Sequence, residues 1–284
     1  LDLGPGDWLW TSPNTFVASS NCALHCGAKV DFVDIDPLTY NMSVECLAVK
    51  LAQAEQDNKL PKVVVPVHMT GQSCDMAAIH VLSLKYGFKI IEDASHSIGG
   101  KYKKQTIGNC RYSDITVFSF HPVKIITTGE GGVALTNNPE LAYRMQRYRS
   151  HGITSDANKM QPRPANEIWN YQQIYLGFNY RMTDIGAALG MSQLKRVNEF
   201  VTKRHTIANR YEELFTNLPI TTPYQHPDNY SSFHLYIIRL KLNKISTSQQ
   251  EVFKILYEAN IGANLHYIPV YRQPYYEQLG FKVG

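Results

Sequence analysis

The chain has 284 residues, 44% hydrophobic and 18% charged, with a formal net charge of +4. That length suits one large domain plus a smaller one, and those fractions belong to a globular protein. The charge is mild, no run of like charges or basic-aromatic stripe occurs, and no apolar stretch nears the ~18 residues of a membrane helix, which argues against nucleic acid and membrane partners.

The first ten residues, "LDLGPGDWLW", lack a methionine and read as a helix end, a Gly-Pro-Gly turn and a strand start. No signal peptide opens the chain, and it stops at "EQLGFKVG" without a closing element. Both ends suggest a piece of a longer protein. The five cysteines, Cys22, Cys26, Cys46, Cys74 and Cys110, are scattered without a CxxC pair. Such a set fits reduced thiols in the cytoplasm. Cys22, His25 and Cys26 lie close together, but no second ligand pair matches them, so no metal is assigned.

Element types then alternate. "AKVDFVDID" (28–36) predicts a strand ending in acids, and "PKVVVPVHMTG" (61–71) a strand buried on both faces. "CDMAAIHVLSLKYG" (74–87) has helical spacing, with Asp75 as N-cap and Gly87 as C-cap. Strands follow at "FKIIEDASHSIGG" (88–100), "DITVFSFH" and "GGVALTNN", then a helix opened by Pro139. This order predicts an α/β fold, a mostly parallel sheet with helices on both faces. Residues 160–182 form a long aromatic connection of the functional or interfacial kind. Beyond residue 182 come one long helical pattern, straight or kinked, a strand in "SSFHLYIIRL", a helix in "TSQQEVFKILYEAN" and a strand in "IGANLHYIPVY". The expected division is therefore a large unit, 1–182, and a long connecting helix with a small domain, 183–284.

Ligands of open α/β sheets gather at the carboxyl ends of the strands. There the sequence places Asp93 and His96, then Ser119, His121 and Lys124, with Phe16 just past the first strand. Lys124 sits between a strand end and two isoleucines. It is either a lysine snorkelling from a turn or a partly desolvated amine with a lowered pKa, a nucleophile toward carbonyls. A carboxylate closing an apolar strand is costly unless it meets a cation. One ligand answers both groups: pyridoxal 5′-phosphate (PLP), whose aldehyde takes a lysine and whose ring nitrogen pairs with a carboxylate. The "GEGG" turn at 129–132 lacks dinucleotide spacing.

"EDASHSIGG", "SFHPVKIITTGEGG" and "GFNYRMTDIGAALGMSQL" resemble the DegT/DnrJ/EryC1/StrS sugar aminotransferases, along essentially the whole chain. The resemblance implies the aspartate-aminotransferase fold of PLP enzymes (type I): a seven-stranded-type, mostly parallel large domain plus a smaller C-terminal α/β domain. "TSPNTFVASSNCALHCGAKVDFVDID" resembles a segment that lies well inside full-length members, whose phosphate-binding turn and closing stretch are absent here. The resemblance makes Lys124 the Schiff-base lysine and proton shuttle, and Asp93 the partner of the pyridinium nitrogen. His96 matches a position, often Gln, that bonds the ring hydroxyl. Ser119 matches a phosphate-binding hydroxyl, Phe16 the aromatic stacked on the ring, and Asn179 a residue reaching the neighbouring subunit's phosphate, which implies a homodimer with shared sites. Arg181 and His266 would face the sugar nucleotide. On the residues alone, His96 also reads as a structural histidine, Phe16 as core, and Asn179 and Arg181 as interface residues.

Within the family, "SFHPVKIITTGEGG" and "HYIPVY" most resemble enzymes of pseudaminic acid synthesis. Those move an amino group from glutamate to C4 of a UDP-linked 4-keto-6-deoxy-N-acetylhexosamine. The alternatives are a dTDP-linked or 3-keto sugar acceptor, or a PLP-dependent sugar dehydratase of the same fold. Family dehydratases carry histidine in place of the lysine, and here the lysine stands.

Overall fold

The computed structural model describes residues 1–162 and 167–282. Residues 163–166 of the aromatic connection and the final two, 283–284, lie outside the described residues.

The first half alternates strand and helix as expected: β1 (Trp8–Thr11), α1 (Ala18–His25), β2 (Lys29–Phe32), α2 (Val44–Gln56), β3 (Val63–Val65), α3 (Met76–Tyr86) and β4 (Lys89–Asp93). A short hairpin, β5 (Lys101–Tyr102) and β6 (Gln105–Thr106), precedes β7 (Ile115–Ser119), β8 (Gly132–Leu135) and α4 (Pro139–Arg149). Strands β2-β1-β3-β4-β7-β8 form the central sheet, six strands among the described residues where the resemblance implied a seven-stranded type. Its pairs are parallel except β7 with β8. Helix ends follow local chemistry. Asp75 accepts the Ala78 N–H at 3.2 Å, Gly87 closes α3 at φ 81°, and Pro139 occupies the first turn of α4.

Both faces of the sheet are covered, and the pleat divides its side chains between them. Trp10, Val64 and Ile90 pack with Leu47 and Leu51 of α2 and Ile79 of α3. Leu9, Val63 and Val65 pack on the other face with Ala23 of α1. The strand at 61–71 is shorter than its apolar run. Pro66 has no N–H to continue the ladder, though its carbonyl still accepts the Asp93 N–H at 3.0 Å.

Later elements are β9 (Ile153–Thr154), β10 (Gln172–Gln173), α5 (Asp184–Leu194), α6 (Val197–Phe215), β11 (Ile220–Thr221), β12 (Asn229–Tyr230), β13 (Arg239–Leu240), α7 (Gln249–Glu258) and α8 (Pro274–Gln278). The long helical pattern is thus two helices, broken at Lys195 and Arg196. Two expected strands are corrected. In "SSFHLYIIRL" only Arg239 and Leu240 pair, and "IGANLHYIPVY" forms no strand. Their backbone groups bond elsewhere: Ser232 N–H and Leu235 N–H donate to the carbonyls of Gly71 and Thr70, and Val270 N–H donates to that of Pro13. Apart from Arg239 and Leu240, both segments are held by such bonds as straps rather than as parts of a ladder. Val270 and Tyr276 join the core on the α1 face.

Among the described residues no helix is long and apolar enough to cross a membrane.

Candidate active site

β4 and β7 are adjacent and parallel, so their carboxyl ends bring Asp93 and Ser119 to one edge of the sheet. Asp93 holds two donors: the Ser19 hydroxyl of α1 on Oδ2 at 2.6 Å and the Ser95 N–H on Oδ1 at 3.1 Å. These bonds fix the carboxylate plane.

A turn after β7 carries Lys124, whose N–H donates to the His121 carbonyl at 2.9 Å. Ile125 and Ile126 are buried against Val201 of α6, which pins the turn from below. Helix α5 closes on the next residues. A Cβ on Gly186 would lie 3.0 Å from the Thr128 carbonyl oxygen, and one on Gly190 would lie 2.7 Å from Thr128 Cγ2. These glycines allow the helix to approach the Lys124 loop, and the Gln193 side chain accepts the Thr127 N–H at 3.0 Å. Burial lowers the Lys124 pKa, with the Asp93 charge opposing it.

His96 is only 6% exposed, and among the described residues its buried Nδ1 has no hydrogen-bond partner. Burial, then the charges of Lys124 and His266, push its pKa down to about 3, so the ring is neutral near pH 7. His266 is half-buried, its own pKa lowered by burial and by Lys124. Its neighbour Tyr267 takes its N–H to Asn14 Oδ1 at 2.8 Å and sets its hydroxyl 3.4 Å from His96 Nε2. The structure therefore gathers Asp93, His96, Lys124 and His266, with Ser119 at the adjoining strand end, where its Oγ accepts the His121 N–H at 3.3 Å.

Phe16 lies immediately before α1 and is 63% exposed, so it is not a core residue. Asn179 and Arg181 are exposed. Asn179 bridges to Ser150 beyond α4. Around them Trp169, Leu176, Phe178, Tyr180, Ile185 and Met191 are all exposed.

Three participants escape a reading of the sequence. Ser19 lies 74 residues from the carboxylate it bonds, and no local pattern announces that contact. Tyr267 and His234 lie in segments that read as strands, although a histidine among aromatics in "SSFHLY" marks the second.

A lowered lysine pKa, an oriented carboxylate and a buried, unpartnered imidazole nitrogen converge on one sheet edge. They fit an aldehyde, a ring nitrogen and a ring hydroxyl, the three polar features of pyridoxal phosphate that need recognition beyond its phosphate. Among the described residues no group of three or more His, Cys, Asp or Glu side chains could hold a metal ion.

Known proteins share this arrangement of sequence and fold. Spore coat polysaccharide biosynthesis protein SpsC of Bacillus subtilis is 39% identical over 99% of this chain and 70% of its own length. UDP-4-amino-4,6-dideoxy-N-acetyl-beta-L-altrosamine transaminase of Campylobacter jejuni is 37% identical over 95% of this chain and 67% of its own. Spr1654 of Streptococcus pneumoniae, solved in PMP and PLP forms, superposes in its PMP form with a TM-score of 0.84 at 31% identity, covering 99% of this chain and 73% of that one. The profile of the DegT/DnrJ/EryC1/StrS aminotransferase family matches residues 1–283, and the chain belongs to that family.

Proposed function

We propose that this protein is a PLP-dependent transaminase that moves the amino group of glutamate to C4 of a UDP-linked 4-keto-6-deoxy-N-acetylhexosamine. The observation that carries the reading is the half-buried Lys124 amine, its pKa lowered, within the field of Asp93 at the ends of two paired strands. The sugar rests on likeness to the Campylobacter altrosamine transaminase.

When bound, the cofactor supplies an aldehyde that condenses with amines and a ring that accepts electron density from the substrate carbon. Asp93, oriented by Ser19 and Ser95, holds the ring nitrogen in its cationic form. His96 offers its free Nδ1 to the ring hydroxyl. Ser119 serves the phosphate, and the exposed ring of Phe16 supplies a stacking face. Lys124 Nζ would hold and move the proton that leaves the substrate carbon, a role suited to an amine whose pKa burial lowers. His266 and Arg181 face the sugar nucleotide.

The exposed aromatic and aliphatic side chains around Asn179 support a homodimer in which Asn179 reaches the partner's site.

The test is Lys124→Ala. It should lose transamination by at least about 10³-fold and lose the borohydride-stable attachment of PLP to the Lys124 peptide. Turnover close to wild type in that variant would reject the assignment. Clear preference for a dTDP-linked or 3-keto sugar in a competition with glutamate as donor would overturn the acceptor and leave the chemistry standing.

A further inference from the structure

Residues 231–235 form a strap fastened at every position. The Ser231 carbonyl takes His205 Nε2 at 2.7 Å, and the Ser232 hydroxyl donates to the His96 carbonyl at 2.7 Å. Arg204 of α6 donates to the carbonyls of Phe233 and His234 at 2.9 and 3.1 Å. Ser232 N–H and Leu235 N–H bond the Gly71 and Thr70 carbonyls at 3.1 and 3.2 Å. The contact with Gly71 is close: a Cβ there would lie 3.0 Å from Phe233 N and 3.1 Å from the His96 carbonyl. Phe233 itself has φ 45°, a left-handed conformation that a bulky residue keeps only where its surroundings over-determine it.

All this anchoring presents one side chain to the site. The His234 ring packs on His96 with centroids 4.5 Å apart and planes at 38°, and its buried Nδ1 has no partner among the described residues. Among the described residues the His96 ring has one hydrogen-bond partner, the Tyr267 hydroxyl at 3.4 Å from Nε2.

We infer that His234 is a positioning residue, whose ring fixes the plane in which His96 offers its free Nδ1 to the ring oxygen of the cofactor. Its cofactor-facing part rests on the function proposed above. The same packing keeps water from His96. Besides His234, the groups facing His96 are Lys124 from the turn after β7 and His266 with Tyr267 from the second strap; Asp93 lies in its own strand and Arg204 behind His234. Burial also drives the His234 pKa down, so two neutral rings are in contact near pH 7.

The experiment compares His234→Phe, which keeps a flat ring, with His234→Gln, which keeps polarity and similar volume without one; His234→Asn replaces the latter if its melting curve shows misfolding. Two quantities are measured on the full chain: the NMR titration of the His96 ring without cofactor, and the dissociation constant of pyridoxal phosphate. Wild type and His234→Phe should leave His96 untitrated above about pH 5 and bind PLP within about threefold of each other. His234→Gln should raise the His96 titration by about one pH unit or more and weaken PLP binding about tenfold. A Gln variant with either the wild-type titration or the wild-type affinity overturns the inference, as does a Phe variant that behaves like Gln. If wild type binds no PLP, the proposed function fails instead, and the titration still decides whether His234 holds His96.

Discussion

Glu92 and Asp93 are consecutive carboxylates at the end of β4, and the pleat sends them to opposite faces of the sheet. Behind the sheet, Glu92 is buried and both its oxygens are filled. Oε2 accepts His68 Nε2–H at 2.8 Å, and Oε1 accepts the Thr116 hydroxyl at 3.2 Å and the Ser113 hydroxyl. His68, wholly buried, has its Nδ1 taken by the Cys74 N–H at 3.3 Å. In front, Asp93 is half-buried, carries one serine hydroxyl and one N–H, and faces an amine whose pKa burial lowers. The back-face network spends three hydrogen bonds of its carboxylate on the protein itself. The front-face group keeps capacity to spare beside the Lys124 amine. Burial alone therefore does not mark a functional carboxylate; unspent hydrogen-bonding capacity does.

Substitutions on the two faces should separate accordingly. The largest effect on turnover, after Lys124→Ala, belongs to Asp93→Asn. It keeps shape and loses charge, so kcat should fall about 10²–10³-fold while the melting temperature stays within a few degrees. Wild-type turnover in Asp93→Asn would dissolve the distinction between the faces.

Glu92→Ala should do the reverse. It strands His68, Ser113 and Thr116 without their shared acceptor and should cost about 3–5 kcal/mol in chemical denaturation. The kcat of the folded fraction should stay within about threefold of wild type. A fall in kcat as steep as that of Asp93→Asn would show that the back-face network also serves the chemistry.

The smallest effect sharpens the contrast through pH. Burial alone would raise the Glu92 pKa, but His68, Ser113 and Thr116 outweigh it and hold it below the usual 4.5. A carboxylate lowered on folding contributes stability that is present above its unfolded value and is lost as pH falls through the folded one. Wild type should thus lose stability as pH falls below about 4.5, and Glu92→Gln, which has no proton to take up there, should lose less over that interval. Parallel acid limbs in the two proteins would remove Glu92 as the source.

The sequence by itself determined the local features. Asp75, Gly87 and Pro139 set helix ends by their own backbone and side-chain chemistry, and valine runs announced strands covered on both faces. A carboxylate and a lysine at apolar strand ends stood out because their positions contradict their solvation. The helix break at Lys195 and the straps at 231–238 and 261–271 were decided by tertiary structure. A β-rich, aromatic stretch signals burial, yet whether its N–H groups meet a strand or a loop carbonyl depends on what the folded chain lays beside it. The Ser19 bond to Asp93 and the packing of His234 on His96 join residues distant in sequence. No propensity records such contacts, because they exist only once the sheet has set its strand order and helix α6 has fastened the strap above it.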